Sequence, residues 1–345
     1  MPNKISSTIS ILGCSIFLLS TLAGWMHKPA TVDPSDIRSS ASKSLVILQE
    51  SSQIFSMNAK RNCASCHHNT LTSMATGLAI QKGIPPIDSF TSFRINTMAG
   101  SIRGISDPNL INQVVPVNFI PPYMLLGLAA EKYPADFATD ISVDYIMSQA
   151  KADGSFLAES GRPPLETGDI HLTALDIRAI QLYAPPAKTQ LVKELVNRTK
   201  QWLENARPVQ QQELVFQLLG MQWCGSPDAI KRKVASRLKA MQNPDGGWSQ
   251  LPTMKSDAYA TGQALYALSE SGTTKPAEEA YQQGLAFLLK TQNKEGAWVV
   301  ATRAYPIQPF VNSQFPPYDE NQFISAAASA WATMALLNAL PDKAN

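Results

Sequence analysis

The chain contains an internal repeat, and this repeat is the feature that most restricts its fold. Three stretches follow one pattern: MSQAKADGSF (147–156), KAMQNPDGGW (239–248) and LLKTQNKEGAW (288–298). In each, a helical segment ends near a glutamine, an acidic residue and glycine form a short turn, and an aromatic residue follows. A segment rich in small residues comes next, at 169–183, 257–271 and 323–340. Self-similarity of this kind indicates stacked helical hairpins, because one hairpin alone does not bury its apolar face.

The segments divide into two types by composition. Those after each turn carry alanine and glycine at helical spacing, which lets helices approach closely, so they are predicted to form an inner layer. Those before each turn, such as 228–242, carry Lys and Arg on one side and apolar residues on the other, as expected for an outer layer. Degenerate copies complete the set, with outer helices predicted at 42–58 and 192–206 and inner helices at 70–83, 121–133 and 213–223. Six inner helices are thus predicted, enough to close a ring.

This pattern resembles the QW motif of the α/α-toroid superfamily, which includes squalene–hopene cyclases and prenyltransferase β-subunits. The resemblance extends over nearly all of 42–340 and is most specific from Gln242 to Trp248 and from Gln292 to Trp298. It implies an all-α protein, an α/α toroid of about six helical hairpins in an inner and an outer ring. It also implies that the glutamines and tryptophans tie the end of an outer helix to the next inner helix.

The first residues predict export. Lys4 is the only charged side chain before an apolar run from Ile9 to Ala23, which is short for a membrane span and typical of a secretory signal. The protein is therefore expected in the periplasm, attached to a membrane only if residues 9–25 are retained as an anchor. The predicted organisation is a signal peptide or N-terminal anchor at 1–24, a flexible lead-in at 25–41 and a single toroid domain at 42–340.

The charge balance argues against one class of partner. The chain has 29 Lys and Arg residues against 27 Asp and Glu residues, a formal net charge of +2. It contains no run of basic residues interleaved with aromatic ones. Binding to nucleic acid is therefore not expected.

Half of the cysteines and histidines lie in six consecutive positions, Cys63 to His68, although the chain has only four of each. The sequence CASCH at 63–67 reads CxxCH, the attachment motif of c-type haem. Two thiols at this spacing can each add to one vinyl group of the porphyrin, and the adjacent histidine then lies under the iron. The sequence predicts one covalent haem c, held by Cys63 and Cys66, with His67 as proximal iron ligand.

The motif also has a predicted place in the repeat. It forms a loop between the first outer and the first inner helix, where the later repeats have their QW turn. The haem is thus expected at the end of the toroid to which the N-termini of the inner helices point. The sixth iron ligand is predicted to be His171 or Met124, since His68 adjoins the proximal ligand and is not expected to reach the opposite face. Further candidates are Met74, Met98 and Met254.

Other interpretations of the Cys/His cluster remain open. Cys63 and Cys66 could form a disulfide in an oxidising compartment. The two cysteines with His67 and His68 could bind zinc, although four ligands on one six-residue loop are crowded.

Two hypotheses of different class follow for the function. The first is an exported haem c protein that serves in electron transfer or in haem-based redox or gas sensing, with a redox protein as partner. The alternative is a terpenoid cyclase or prenyltransferase-like enzyme acting on an apolar isoprenoid, or a non-catalytic binding module. An aromatic wall able to stabilise carbocations would come from Tyr123, Tyr259, Phe323 and Trp331.

No catalytic residue is assigned from the sequence. The DxDD acid that the cyclase resemblance implies does not occur in this chain, so an enzyme is the less favoured hypothesis. Asp169 and Asp257 stand at the starts of inner helices, where a carboxylate is expected as a cap rather than as a catalytic acid.

Overall fold

The computed structural model describes residues 31–59, 64–106, 117–159, 161–304 and 311–343, together with Met1. This part of the chain contains no β-strand. Its α-helices are α1 (Pro34–Asn58), α2 (Leu71–Gln81), α3 (Asp88–Ser106), α4 (Ile120–Ala130), α5 (Phe137–Ser148), α6 (Asp169–Tyr183), α7 (Thr189–Asn205), α8 (Gln211–Trp223), α9 (Asp228–Ala240), α10 (Ala258–Glu270), α11 (Glu279–Thr291) and α12 (Gln322–Asn338).

The even-numbered helices form a closed inner ring. Each contacts the next along the chain, from α2 through α4, α6, α8 and α10 to α12, and α12 returns to contact α2. The odd-numbered helices lie outside this ring, and α1 contacts both α3 and α11. The predicted all-α toroid with six inner helices is confirmed.

Small residues allow the inner helices to lie close together. A β-carbon on Gly262 of α10 would lie 2.5 Å from the backbone nitrogen of Ala332 on α12. In another contact of the ring, a β-carbon on Gly77 of α2 would clash with the carbonyl oxygen of Ala130 at the end of α4. Glycine at these two positions is therefore a packing requirement, because any larger residue would push neighbouring inner helices apart.

The second repeat turn links three helices. Trp248 Nε1 donates a hydrogen bond to Leu238 O of α9 (2.7 Å), and its backbone nitrogen donates to Thr261 Oγ1 of α10 (2.9 Å). Gln242 Nε2 donates to Ala280 O of α11 (2.8 Å). The tryptophan therefore ties outer to inner helix as predicted, whereas the glutamine reaches the next outer helix.

The third repeat turn closes the outer ring. Gln292 Nε2 donates to Ser40 O of α1 (3.0 Å), and Gln292 Oε1 accepts from Ser40 Oγ (2.8 Å). Trp298 Nε1 donates to Leu288 O (2.8 Å), as Trp248 does in the repeat before. The last repeat is thus bonded to the first helix, some 250 residues away in sequence.

The first repeat turn departs from the pattern. Phe156 has no indole N–H, and only its backbone nitrogen bonds the inner helix, at Thr173 Oγ1 (3.0 Å). The side chain of Gln149 donates to its neighbour Ser148, so the predicted tie by this glutamine is wrong. Thr199 of α7 takes its place, with its hydroxyl donating to Gly154 O (2.6 Å).

The toroid begins earlier than the sequence predicts. The sequence predicts a flexible lead-in at 25–41, but α1 starts at Pro34. Asp33 caps the helix by accepting a hydrogen bond from Ser35 N (2.7 Å), and proline fits the first helical turn. Ile37 and Ala41 are buried, so this segment belongs to the core.

The predicted signal peptide or anchor at 1–24 lies outside the described residues, apart from Met1. Within the residues that the structure does describe, no helix combines the length and apolar character needed to cross a membrane.

Replacing Gln292 with leucine should lower the free energy of unfolding by about 1–3 kcal/mol, because the buried hydroxyl and carbonyl of Ser40 lose their partner. Gln149→Leu is the matched control, since this exposed side chain bonds only its neighbour, and its effect should stay within about 0.5 kcal/mol. Urea unfolding measures both. Equal stability of the two variants would contradict the closure described here.

Candidate functional site

Cys66 and His67 lie at the mouth of the toroid, which we define as the end where outer helices finish and inner helices begin. They belong to a π-helical turn, Cys66–Thr70, that runs directly into α2. The predicted loop at 63–67 is therefore only partly a loop, because Ser65 caps this turn by accepting a hydrogen bond from His68 N (3.1 Å). Cys63 lies outside the described residues.

A buried asparagine fixes the position of this turn. Asn69 Nδ2 donates to Ser52 Oγ (3.1 Å) and to Ser56 Oγ (2.9 Å), both on α1. Asn69 Oδ1 accepts from Ser65 N (2.8 Å). All polar atoms of this side chain are thereby used, and the turn is held against the first outer helix.

The two histidines occupy different environments. His67 is partly buried, with its ring centroid 5.1 Å from that of Phe55 and 5.6 Å from that of Phe323 on α12. His68 is fully buried and stacks on Phe55 with centroids 4.7 Å apart. Its Nε2 lies 2.8 Å from Ser313 Oγ. His68 is therefore held in the protein interior. It is not positioned to bind the far side of a ligand that His67 holds.

The hydrogen bonds assign the tautomers of both rings. Gln322 Nε2 donates to Val311 O (3.1 Å), so Gln322 Oε1 accepts from Ser313 N (2.8 Å) and Oγ (2.7 Å). The serine proton is then used, and His68 Nε2 must donate to Ser313 Oγ. His68 Nδ1 is therefore an acceptor, and the contacting His67 Nδ1 donates to it. His67 Nε2 keeps its lone pair and has no hydrogen-bond partner among the described residues.

The structure describes two ionisable side chains of the CxxCH motif, Cys66 and His67, and both are uncharged. Burial, with a smaller contribution from the Arg162 guanidinium, lowers the pKa of His67 to about 3. Burial raises the pKa of the Cys66 thiol, and the nearby Glu166 carboxylate adds to this effect. At neutral pH the side chains are an imidazole and a thiol.

A chain of hydrogen bonds crosses the lumen just below the mouth, and we call it the lumen relay. Tyr259 OH of α10 donates to Gln212 Oε1 of α8 (3.0 Å), and Gln212 Nε2 donates to His171 Nδ1 of α6 (3.1 Å). His171 Nε2 then donates to Tyr123 OH of α4 (3.0 Å), which donates to Leu165 O (3.1 Å). The relay joins four of the six inner helices.

The relay also docks a turn onto the mouth. Gln212 Nε2 donates to Pro164 O (2.6 Å), and the Tyr123 bond to Leu165 O reaches the same turn. Arg162 and Glu166 face each other across this turn, with Arg162 Nε donating to Glu166 Oε2 (2.6 Å). The mouth therefore carries a charged pair close enough to Cys66 to shift its pKa.

The predicted sixth ligands have other partners in this structure. His171 bonds through both ring nitrogens and stacks on Phe216 with centroids 3.8 Å apart. Coordination by His171 would break one of these bonds. Met124 is buried with its sulfur 4.0 Å from Thr70 Oγ1, and Met98 lies at the same distance from that hydroxyl. The identity of a sixth ligand stays a prediction.

Aromatic rings meet across the lumen. Phe216 of α8 and Trp331 of α12 lie on helices that are not neighbours in the ring, yet their centroids are 6.2 Å apart. Tyr266 of α10 contacts the same indole at 5.4 Å. The predicted aromatic residues therefore do not form one wall. Trp331 lies inside the lumen, whereas Phe323 lies beside His67 at the mouth.

Among the described residues, no group of three or more His, Cys, Asp or Glu side chains is arranged to hold a metal ion. The zinc and disulfide alternatives both need Cys63, which is not described. Of the predicted caps, Asp257 is confirmed, since it accepts from Ala260 N (2.9 Å). Asp169 is not the cap of α6, because Gly168 holds that position and Asp169 accepts from Ala158 N instead (2.9 Å).

The buried histidines should make stability depend on pH. Burial lowers the pKa of His171 to about 3, whereas an unfolded histidine titrates near ~6.5. Between these values the unfolded state binds more protons, so stability falls as the pH is lowered, by up to ~1.4 kcal/mol per pH unit for each such residue. Urea unfolding from pH 7 to 4 should show a shallower fall for His171→Gln than for the wild type.

Gln212→Leu is the control for this comparison, because it breaks the same relay without removing a titratable group. Its slope with pH should equal that of the wild type. A His171→Gln slope that also equals the wild-type slope would contradict the assignment of a neutral, buried imidazole.

No protein-family model and no curated protein matches the sequence. Among solved structures, the apo type II terpene cyclase MstE from Scytonema is similar, with a TM-score of 0.59 at 11% identity over 90% of this chain and 99% of that chain. An MstE variant in complex with its substrate geranylgeranyl dihydroxybenzoate gives 0.58 at 13% over 89% and 98%. A possible GH105 family member from Salmonella enterica serovar Paratyphi A gives 0.53 at 11% over 90% and 94%. At these identities the similarities show the fold alone, an α/α toroid like that of these proteins.

Proposed function

We propose that this chain is an exported c-type haem protein built on a terpene-cyclase-like toroid. Cys63 and Cys66 would hold the haem covalently at the mouth, and His67 would bind the iron. The spacing of the CxxCH motif and the apolar run at the N-terminus support the proposal together, because covalent attachment of haem c takes place after export.

The observation that carries the proposal is the state of His67. An iron-binding histidine is neutral, offers the lone pair of one ring nitrogen and has the other nitrogen held by a hydrogen bond. In this structure His67 Nδ1 donates to His68, which is fixed in turn by Ser313 and Gln322. His67 Nε2 is left with its lone pair on a ring that is only partly buried. These are the properties expected of a histidine that binds haem iron, and they support the proposal.

Cys66 fits the same group. It lies one residue before His67 on the same turn, and its thiol is protonated. In the attachment reaction the sulfur bonds to one carbon of a vinyl group and the thiol hydrogen passes to the other carbon, so no oxidant is consumed. Cys63 would form the second thioether in the same way.

The bound haem would supply a one-electron couple or a site for a small gas. The chain's own residues would hold His67 in one tautomer and surround its ring with the apolar side chains of Phe55 and Phe323. A redox protein is the partner expected for electron transfer, and the periplasm is the expected location.

The test is haem that survives denaturation. The chain is expressed with its own N-terminus in a host that matures cytochromes c, then run on a denaturing gel stained for haem peroxidase activity. The wild type should give a band, and Cys63→Ala/Cys66→Ala should give none. Cys224→Ala is the matched control, since this buried cysteine lies outside the motif and its variant should keep the band. A folded, exported wild type without a band would refute the proposal.

A second candidate is an enzyme or binding protein for an apolar isoprenoid. The fold shared with a terpene cyclase favours it, as do the aromatic side chains that meet in the lumen. A cyclase needs a catalytic acid, and this candidate function has none assigned. The carboxyl of Asp176 on α6 has a pKa well above its ordinary value because of burial, but no contact in the structure ties it to the aromatic side chains of the lumen.

Incubation with squalene or geranylgeranyl diphosphate, followed by mass spectrometry of the extracted products, distinguishes the two candidates. A cyclised product that is lost in Trp331→Leu would support the second candidate. Unchanged substrate, together with a haem band, would support the first.

A further inference from the structure

A cleft of about 440 Å³ lies at the rim of the mouth, where the outer helix α7 ends and the inner helices α6 and α8 begin. We call it the rim cleft. Its volume is typical of a site for a small molecule (~300–1,000 Å³). The polar side chains that line it are those of Asp169, Trp202, Asn205, Arg207 and Glu213. Neither the CxxCH motif nor the lumen relay contributes a residue to this lining, so the rim cleft is separate from the site of the proposed function.

The two carboxylates of the rim cleft are held in place by backbone hydrogen bonds. Glu213 Oε2 accepts from Val209 N (2.7 Å) and from the next backbone nitrogen (3.0 Å). Asp169 Oδ1 accepts from Ala158 N (2.9 Å). Glu213 Oε1 lies 3.6 Å from the position that a β-carbon on Gly168 would take, so it reaches the start of α6. Each carboxylate keeps one oxygen, Glu213 Oε1 or Asp169 Oδ2, without a hydrogen-bond partner among the described residues.

The other polar side chains of the rim cleft add donors and a further acceptor. The Arg207 guanidinium is exposed and makes no ion pair or hydrogen bond with the described part of the chain. The indole nitrogen of Trp202 also has no partner there, although its ring is partly buried. Asn205 Nδ2 donates to Gln201 O (2.8 Å), and its Oδ1 stays available. The rim cleft therefore combines unused donors and acceptors with one aromatic ring.

This lining indicates the charge of a suitable ligand. The two carboxylates would repel a phosphate or another anion, and Arg207 would repel a small cation. A neutral ligand with several hydroxyl groups is repelled by neither, and each hydroxyl can both donate and accept a hydrogen bond. A sugar ring also has an apolar C–H face, which can pack on the indole of Trp202 while the hydroxyls at its edge bond the charged side chains.

We propose that the rim cleft binds a neutral carbohydrate, a mono- or disaccharide. Trp202 would stack on the sugar ring, and Arg207 would donate to its hydroxyls. Asp169 and Glu213 would accept from other hydroxyls of the same ligand. Because backbone bonds already hold both carboxylates, little side-chain freedom is lost when the ligand binds.

The test is saturation-transfer NMR and titration calorimetry of the full chain with a panel of neutral sugars: glucose, galactose, mannose, N-acetylglucosamine, cellobiose and lactose. At least one sugar should bind with millimolar or tighter affinity. Trp202→Leu should weaken that binding about tenfold, because the stacking surface is lost. Trp223→Leu is the matched control, since this partly buried tryptophan ends α8 far from the mouth and does not line the rim cleft. Its affinity should equal that of the wild type.

Arg207→Gln is a second variant that should leave the fold unchanged, because this side chain is exposed and bonds no described residue. It should also weaken sugar binding about tenfold, through loss of the charged donor. Arg232→Gln is its matched control, since this exposed arginine lies on the outer helix α9. Circular dichroism checks that each variant is folded.

Sugar binding that both variants of the rim cleft weaken and both controls keep would support the proposal. It would be overturned if no sugar of the panel binds, or if Arg207→Gln or a folded Trp202→Leu binds as the wild type does. Spermidine and inorganic phosphate are titrated as a cationic and an anionic probe. Binding of either one in place of the sugars, with loss in the same variants, would also overturn the proposal. None of these outcomes depends on haem, so they leave the proposed function to its own test.

Discussion

A helical hairpin does not bury its apolar face alone, and this constraint governs the whole toroid. Every inner helix needs a neighbour on both sides, so the ring must close between the first and the last repeat. The inner ring closes by contact of α12 with α2, and the outer ring by the bonds of Gln292 to Ser40. The second and third repeat turns use the same tryptophan and glutamine bonds, and the third joins the last repeat to the first helix.

Closure also builds the candidate site. His67 and His68 come from the first repeat, but Phe323 and Ser313 come from the last, about 250 residues later. The tautomer of His67 is set by this second group, through Gln322 at the start of α12. A partly closed ring would keep the CxxCH motif and lose the environment that prepares its histidine. The site therefore lies where the first and the last repeats of the ring meet.

The sequence predicts the helices well because periodicity and small-residue spacing are local properties, read without knowledge of neighbours. It fails where a role is taken over by a distant residue, as when Thr199 replaces Gln149 in the first turn. The sequence does not predict the start of α1, because Pro, Ser, Ala and Thr in this segment favour flexibility, although Asp33 provides a cap. The bonds that fix His67 join residues far apart in sequence, and no local pattern predicts such pairs.

We propose that the toroid carries one covalent haem on Cys63 and Cys66. The most direct test is the intact mass of the wild-type protein, exported in a host that matures cytochromes c and denatured before measurement. We expect the mass of the chain plus one haem. The mass of the bare chain, or of the chain less the two hydrogens lost in a disulfide, would contradict it.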